Sequence, residues 1–385
     1  MALSIRVTYV LFLSLSGALG CSAAAGNDLF EHGGVSQTGE GGSAGEGQVG
    51  GSGGAGHAGK GGSGQAGTGH AGTGGSAQGG STGNEQGGSA GSGEGGTAGG
   101  GEGGTAGSGE AGSAQGGSGG GSGCYAEVYH PDVAIDDLKS SYSGGNWLSI
   151  SLQVLQRRYP TGYYVLNAEK NDYQLSGFVD TSSWGAFVTS MDTMVHEESH
   201  GWDFENSSYG SHNYVLRDDL QLQVPELSTW PRSDILQYIS DNTTQMYDDV
   251  YLTGEQGTYD AIFQMDEMNA YANGLATLAS VHEHVPPSIS SRDGAAAMTL
   301  HLELYLKAGR TQHPAQYAAL KADGSWQKLV RYEWARVHFW DNEAKPYNNL
   351  TIDADAIWAR INEPANLDEI QQFTGEDPAS VACHP

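Results

Sequence analysis

The strongest hydrophobic pattern in this chain has helical spacing and lies near the middle, between residues 183 and 204. At about 100° per residue, one face of such a helix collects large apolar side chains and the opposite face collects polar ones. The apolar face holds Trp184, Phe187, Val188, Met191, Met194, Val195 and Trp202. The polar face holds Thr189, Thr193, His196, His200 and Asp203. The pattern predicts a long amphipathic helix that packs through its apolar face and turns two histidines away from it.

Helical spacing also occurs in one segment before this helix and in most of the chain after it. The predicted helices cover residues 146–158, 234–251 with a break near Asp241, 258–284, 293–308, 314–321, 325–340, 353–361 and 367–373. Alternating polar and apolar positions predict a hairpin over 214–224, and shorter strands are predicted at 163–166 and 173–179. Together these elements favour an α+β, mainly helical domain with a small sheet preceding the histidine helix.

The first third of the chain has no such pattern. Residues 26–123 consist largely of Gly, Ser, Ala, Thr and Gln and hold most of the 61 glycines. Too few apolar side chains are present to offset the ordering entropy, so this segment is predicted to be a disordered tether. A Gly/Ser-rich coil of this length spans roughly 55 Å (root mean square). The organisation predicted is a signal peptide at 1–20, a disordered linker at 21–123 and a folded domain at 124–385.

The N-terminus has the features of an export signal. Arg6 precedes an apolar run from Val7 to Leu19 that is too short to span a bilayer. The run ends in small residues before Cys21, which resembles the lipobox of bacterial lipoproteins. This resemblance implies lipidation of Cys21 and a lipoprotein of the bacterial outer membrane or cell surface, attached only through its lipid. The alternative is an ordinary cleaved signal and a secreted protein.

Charge and cysteine content narrow the choice of partners and compartment. The formal net charge is −28 at pH 7, which repels phosphate backbones, so nucleic acid is not expected as a partner. Besides Cys21, only Cys124 and Cys383 occur, and they bracket the folded domain. An exported chain enters an oxidising compartment, so these two are predicted to form a disulfide. We expect a monomer.

The histidine helix contains the pattern His-Glu-x-x-His. The i, i+4 spacing puts His196 and His200 on one face, one turn apart, where both can reach a single metal ion. Glu197 lies beside them and is placed to act on water bound to that metal. The alternative is an amphipathic helix with two incidental histidines.

A catalytic zinc ion usually has three protein ligands, so a third must come from elsewhere. The predicted helix at 258–284 carries a polar stripe beside its apolar one, made of Asp260, Gln264, Glu267, Tyr271 and Gly274. Asp266, Asn269 and Asn273 fall on a further side that is expected to face solvent. Glu267 is the preferred third ligand on this stripe, and Asp260 is the alternative.

With Glu267 on a second helix far downstream, the sequence resembles the gluzincin branch of the zincin metallopeptidases. The resemblance covers two short segments and the helical second half. It implies a zincin-like domain, zinc bound by His196, His200 and Glu267, and Glu197 as general base. The segment ending in Asp260 resembles part of the aspzincin motif, in which the aspartate binds zinc.

Further site residues are less narrowly defined. Many gluzincins have an acidic residue three or four positions after the ligand glutamate, where this chain has Ala270 and Tyr271. The histidine-supporting residue is therefore expected to be Tyr271 or Asp203. Candidates for stabilising an oxyanion are Tyr259, Tyr209, Tyr214 and His212, and no spacing rule selects among them. The cluster His282-Glu283-His284 is expected to be a solvated helix end.

The function expected from these features is zinc-dependent endopeptidase activity on a protein or peptide substrate. One alternative is a zinc amidase acting on cell-wall peptides, which would use the same ligands. Another is a surface binding or adhesion lipoprotein with a zincin-like shell and no catalysis. Retention of Glu197 favours an enzyme, because a non-catalytic relative would be expected to have lost it. No specificity pocket is evident from the sequence.

Overall fold

The computed structural model describes residues 124–383. The predicted signal peptide, the lipidation site Cys21 and the Gly-rich linker lie outside the described residues. Within the described part, no helix is long and apolar enough to cross a membrane.

The described residues are mainly helical, with one small sheet. The α-helices are α1 (Asp136–Ser141), α2 (Trp147–Arg158), α3 (Pro160–Glu169), α4 (Trp184–Glu205), α5 (Gln245–Tyr251), α6 (Ala261–Ser280), α7 (Ser291–Gln312), α8 (Pro314–Ala322), α9 (Gly324–Ala344), α10 (Ala354–Ile361), α11 (Pro364–Thr374) and α12 (Pro378–Cys383). The strands are β1 (Ser211–Arg217) and β2 (Leu220–Pro225). Short 3₁₀ turns lie at Gly144–Asn146, Leu175–Gly177, Arg232–Tyr238, Gln256–Thr258, His282–His284 and Asn348–Leu350.

The helices predicted from hydrophobic spacing are present, with ends that shift by a few residues, except that the first half of 234–251 is a 3₁₀ turn. The predicted break near Asp241 separates the 3₁₀ turn Arg232–Tyr238 from α5. The predicted helix 258–284 is α6 flanked by a 3₁₀ turn at each end. The short helices α1 and α12 were not predicted, because neither is long enough to show a period.

The two strands predicted ahead of the histidine helix are wrong. Residues 163–166 belong to α3, and the run 173–179 contains only the 3₁₀ turn Leu175–Gly177. Pro160, expected to end α2, is the first residue of α3, where its fixed φ and missing N–H are tolerated. Val165 and Leu166 are fully buried. A short apolar run of this kind does not distinguish a buried strand from a buried helix.

The sheet is an antiparallel hairpin that follows the histidine helix instead of preceding it. Tyr214 pairs with Leu222, and a bulge interrupts the register between Val215 and Arg217. The hairpin is tied back to α4, because the backbone N–H of Val215 donates to Asp203 Oδ1 at 2.7 Å. The predicted hairpin at 214–224 is confirmed, and the mainly helical α+β class with it.

Helix α6 lies in the interior and positions the rest. All of its residues except Phe263 are buried. Its apolar side chains share one hydrophobic core with Met191, Met194 and Val195 of α4 and with residues of α7 and α9. Burial of each such side chain stabilises the fold by roughly 1.5–3 kcal/mol. The packing brings the histidine face of α4 against a polar stretch of α6.

A disulfide joins Cys124 to Cys383, as predicted. It connects the first described residue to the end of α12, so the two ends of the domain are linked. The N-terminal segment is also fixed by Glu127, which accepts hydrogen bonds from Tyr159 Oη at 3.0 Å and Trp340 Nε1 at 2.8 Å.

Candidate metal centre

Helix α4 presents the two histidines to α6. Its N-terminus is capped by Ser183, whose hydroxyl accepts from the backbone N–H of Ala186, and its apolar face is anchored in the core. This fixes the rotation of the helix. His196 and His200 are consequently buried and point toward Glu267 on α6.

Three ligand atoms meet at this point. His200 Nε2 lies 3.2 Å from His196 Nε2, and Glu267 Oε2 lies 3.8 Å from His196 Nε2 and 3.7 Å from His200 Nε2. The nearest point that is equidistant from the three atoms lies about 2.1 Å from each of them. This distance matches zinc–nitrogen and zinc–oxygen bond lengths. The predicted trio of His196, His200 and Glu267 is thus brought together in a geometry that fits one metal ion.

One ligand atom of the trio lacks a hydrogen-bond partner, and a bound metal ion would be a partner for it. Glu267 Oε2 is buried with no hydrogen-bond partner, and the side chain is only 3% exposed. A buried carboxylate oxygen without a partner costs free energy that a coordinated cation recovers. Burial, the largest influence, raises the pKa of Glu267, while the neighbouring His200 and Arg232 lower it. Burial lowers the pKa of His196 well below its usual range, which keeps that imidazole neutral and able to ligate.

Asp266 supports His200, a role that the sequence prediction gave to Tyr271 or Asp203. Asp266 was expected to face solvent, but it is fully buried. Its Oδ2 lies 2.7 Å from His200 Nδ1. With the Nδ1 proton held toward the carboxylate, Nε2 is the nitrogen that a metal ion would bind, in place of the proton it carries when the ring is charged. Burial would lower the pKa of His200, but Asp266 and then Glu267 outweigh it and raise that pKa to about 10. Burial would raise the pKa of Asp266, but the same contact with His200 outweighs it and holds that pKa well below its usual range.

Asn269 and Asn273 were also expected at the surface and are fully buried. Asn269 donates to Asp203 Oδ2 at 2.8 Å, and Asn273 donates to Ser199 Oγ at 3.0 Å, so both join α6 to α4. Their side-chain oxygens each accept from Arg336 of α9 at 2.6 Å. The side of α6 predicted to be solvated is a hydrogen-bonded interface between helices.

Asp203 is hydrogen-bonded to a backbone N–H and to an asparagine side chain, not to a histidine ring. Its two oxygens accept from Val215 N and Asn269 Nδ2, and no hydrogen bond to His200 is formed. Burial, reinforced by the nearby Asp266 carboxylate, raises the pKa of Asp203 well above its usual range. The residue fixes the hairpin against α4.

Tyr271 lies beside the centre and packs on a ligand. Its ring meets the His196 ring edge to face, with centroids 4.6 Å apart, and its hydroxyl is 2.9 Å from the hydroxyl of Tyr251. Tyr251 in turn hydrogen-bonds to Glu267. Tyr271 thus limits the ring orientation of His196 by contact, and Tyr251, which was not predicted, holds the third ligand.

Glu197, the residue predicted to act as the base, is buried next to His196 in the sequence of α4. It is 7% exposed, and its Oε1 has no hydrogen-bond partner. Burial is the main influence and raises the pKa of Glu197 to about 8, with His200 opposing and Glu267 adding to it. A carboxyl with a pKa near neutrality can both accept and return a proton.

A second group of ligand-type side chains, Asp203, His212 and Asp266, adjoins the first. His212 Nε2 lies 3.9 Å from Asp266 Oδ1, and neither atom has a hydrogen-bond partner. The His212 ring is held edge-on between Phe204 and Tyr214. Asp266 engages His200 through its other oxygen, Oδ2, so this second group adjoins the candidate metal centre through Asp266.

The alternative third ligand, Asp260, lies at the N-terminus of α6 and accepts from the backbone N–H of Ile262. It caps the helix and is not among the grouped ligand atoms. Tyr259, just before it, stacks on Phe263 with ring centroids 4.4 Å apart. Asp260 is therefore accounted for as a helix cap.

Tyr214 and Tyr209, two further oxyanion candidates, differ in their burial. Tyr214 donates its hydroxyl to the carbonyl of Ile262 at 3.0 Å, and Tyr209 is fully exposed. His282–His284 forms a 3₁₀ turn in which Glu283 is 39% exposed and pairs with Arg158 at 2.6 Å, a partly solvated helix end as expected.

Arg232 is a further residue that the sequence did not single out. It is fully buried, lies over the rings of Tyr251 and Tyr259 at 5.4 and 5.6 Å, and lowers the pKa of Glu267. Arg232 lies in a 3₁₀ turn, where the sequence has no regular hydrophobic period from which its burial could be predicted. For Asp266 a signal did exist, since a carboxylate adjacent to the predicted ligand on a helix is a natural partner for a histidine.

The chain matches no protein-family model, no curated protein and no solved structure. We therefore infer function from the arrangement of the side chains alone.

Proposed function

We propose that the domain is a zinc-dependent metallopeptidase. The observation that carries the proposal is the triangle of His196 Nε2, His200 Nε2 and Glu267 Oε2, whose sides of 3.2, 3.7 and 3.8 Å suit one tetrahedral metal ion with an open fourth position. Two imidazole nitrogens and one carboxylate oxygen form a donor set that suits zinc better than calcium or magnesium.

The chain's own residues supply the remaining chemistry. A zinc ion, when bound, lowers the pKa of water and polarises a carbonyl group. Glu197 accepts the proton from the attacking water and returns it to the leaving amine. Asp266 holds His200 in the tautomer that ligates, Tyr251 positions Glu267, and Tyr271 limits the ring orientation of His196.

The test combines metal content with catalysis on the full chain. We expect about one zinc ion per chain by elemental analysis, and cleavage of casein or of a peptide library. Glu197→Gln should retain zinc and lower kcat/KM by about 10²–10⁴-fold, because it removes the proton acceptor and leaves the ligands in place. The matched control is Glu255→Gln at an exposed position, which should match the unaltered protein.

Metal-ligand variants decide whether the third ligand is correct. Glu267→Ala should lose most of the zinc, and full zinc content in that variant would refute the ligand set. Full activity in Glu197→Gln would refute the mechanism even if zinc is present. If the zinc-loaded protein cleaves neither casein nor any library peptide but releases amide-linked fragments from cell walls, the peptidase proposal fails in favour of an amidase.

A further inference from the structure

Three buried side chains beside the proposed zinc centre form what we call the His212 group: Asp203, His212 and Asp266. Each offers one ligand atom, and these three atoms all lie within 4.8 Å of one another. Asp203 belongs to α4, His212 to β1 and Asp266 to α6, so the group joins three elements. None of its members is among the three proposed zinc ligands.

A chain of hydrogen bonds determines which nitrogen of His212 carries a proton. Ser207 Oγ lies 2.6 Å from the backbone oxygen of Asp203, and this contact requires the single hydroxyl proton, because two oxygens without a proton between them repel each other. The hydroxyl oxygen accepts from the backbone N–H of Asn213 at 2.8 Å and from His212 Nδ1 at 3.2 Å. The proton of the neutral imidazole is therefore on Nδ1. Nε2 carries a lone pair, the form in which histidine binds a metal ion.

His212 Nε2 faces a carboxylate oxygen across a gap that no hydrogen bond closes. Asp266 Oδ1 lies 3.9 Å away, and both atoms are buried with no hydrogen-bond partner. Hydrogen bonds between nitrogen and oxygen are about 2.7–3.2 Å long, so a shared proton does not span this distance. A zinc ion can span it, because its bonds to nitrogen and to oxygen, each about 2.0–2.2 Å, add up to more than the separation of the two atoms.

Asp203 supplies the third ligand atom. Its Oδ1 accepts from Val215 N at 2.7 Å, and its Oδ2 accepts from Asn269 Nδ2 at 2.8 Å. A carboxylate oxygen has two lone pairs, so an oxygen that accepts one hydrogen bond can still bind a metal ion. Because both oxygens of Asp203 are already engaged, and Asp266 also holds His200, we expect the group to bind metal more weakly than the proposed zinc centre.

We propose that the His212 group binds a second zinc ion of lower affinity, which fastens the β1–β2 hairpin to α4 and α6. One imidazole nitrogen and two carboxylate oxygens suit zinc, whereas calcium and magnesium prefer oxygen ligands alone. This site goes beyond the proposed function and does not depend on it.

The test is a zinc titration of the full chain at pH 7.5, followed by calorimetry and by thermal unfolding. After dialysis against a buffer without zinc, the chain should keep one zinc ion and then bind a second at least tenfold more weakly. Free zinc at about 100 times the Kd of this second step should raise the unfolding midpoint by about 5 °C.

Two variants of the His212 group test whether it holds the second ion. His212→Phe should abolish the second step and the rise in midpoint, because phenylalanine fills the space between Phe204 and Tyr214 but has no ligand atom. Ser207→Ala should weaken the second step by about 10–100-fold, since it removes the contact that orients the His212 ring. His130→Phe, at a partly exposed histidine, is the matched control and should keep both steps.

The first zinc ion reports on folding, and both variants should keep it. A second step of unchanged affinity in His212→Phe and Ser207→Ala, or no second step in the unaltered chain, would overturn the proposal. Loss of the first zinc ion together with the second in His212→Phe would also overturn it, because the two groups would then form one site. Binding of Ca²⁺ or Mn²⁺ as tight as that of zinc in the second step would overturn the choice of metal.

Discussion

A hydrogen bond of 2.7 Å between Asp266 and His200 Nδ1 leaves the other ring nitrogen, Nε2, facing the proposed metal centre. The contact is buried, so its electrostatic energy is not screened by water. Outer contacts of this kind orient a metal ligand and raise its basicity. At the scale of single residues, we therefore expect the proposed metal centre to depend on Asp266, a carboxylate outside the set of three ligands.

Asp266→Asn should lower zinc affinity by about 10–100-fold while the domain stays folded, because the amide keeps the shape and loses the negative charge. Zinc affinity would be measured by competition with a chelator. The matched control is Asp260→Asn, which should bind zinc normally because Asn also caps helices. A large loss of zinc in the control instead would identify Asp260 as the ligand.

His338 should make the domain sensitive to mild acid. Its ring packs between those of Trp334 and Trp358, and burial lowers its pKa from 6.5 to about 4. Above pH 6.5 the residue is neutral in both states. Between pH 6.5 and 4 only the unfolded chain takes up the proton, so stability falls by at most about 1.4 kcal/mol per pH unit.

The measurement is the free energy of unfolding in urea at pH 7.5 and pH 5. His338→Phe keeps a ring between the tryptophans and should lose less stability on acidification than the unaltered protein. His130→Phe, at a partly exposed histidine, should lose as much as the unaltered protein. Equal acid losses in all three proteins would show that His338 does not control this response.

At the scale of elements, α6 and α7 approach each other closely because glycine allows it. A Cβ atom at Gly294 of α7 would lie 2.3 Å from Tyr271 Cε1, nearer than atoms can pack. Tyr271 in turn contacts His196, so this crossing of two helices supports one wall of the metal centre.

Gly294→Ala should destabilise the domain by about 1–2 kcal/mol, since overpacking outweighs the gain in helix propensity. It should also reduce zinc affinity, because a displaced Tyr271 disturbs His196. Gly185→Ala is the control: a Cβ there meets nothing within 4 Å, so that variant should be as stable as the parent or slightly more so. Unchanged stability and zinc binding in Gly294→Ala would contradict the crossing's role.

Spacing along the chain predicted the helices and the hairpin because each has a period or an alternation of its own. It could not place Asp266, because a helical wheel assumes that the side opposite the core meets water. Helix α6 is buried on that side too, and its polar residues there are satisfied by Asp203, Ser199 and Arg336. Partners that are 60 or more residues away in sequence leave no periodic signal.

At the scale of the whole molecule, the disulfide between Cys124 and Cys383 closes a loop with a sequence separation of 259 residues. In the chain-entropy view, a loop of this size stabilises the folded state by about 5 kcal/mol, because it restricts the unfolded chain. The effect acts on every element equally and is not tied to the metal centre.

Replacing both cysteines, Cys124→Ser with Cys383→Ser, should lower the unfolding midpoint by about 10 °C while zinc content at 25 °C is unchanged. The matched treatment is a reducing agent added to the unaltered chain, which should lower the midpoint similarly and have no effect on the double variant. A midpoint that reduction leaves unmoved in the unaltered chain would refute the stabilising role.

The same bond has a consequence for a protein that meets proteases. A backbone cut anywhere between the two cysteines produces fragments that stay covalently attached, since one bears Cys124 and the other bears Cys383. A nicked molecule would migrate as full length on a non-reducing gel and as two pieces after reduction. Any segment attached before Cys124 would remain linked to both pieces after a single cleavage.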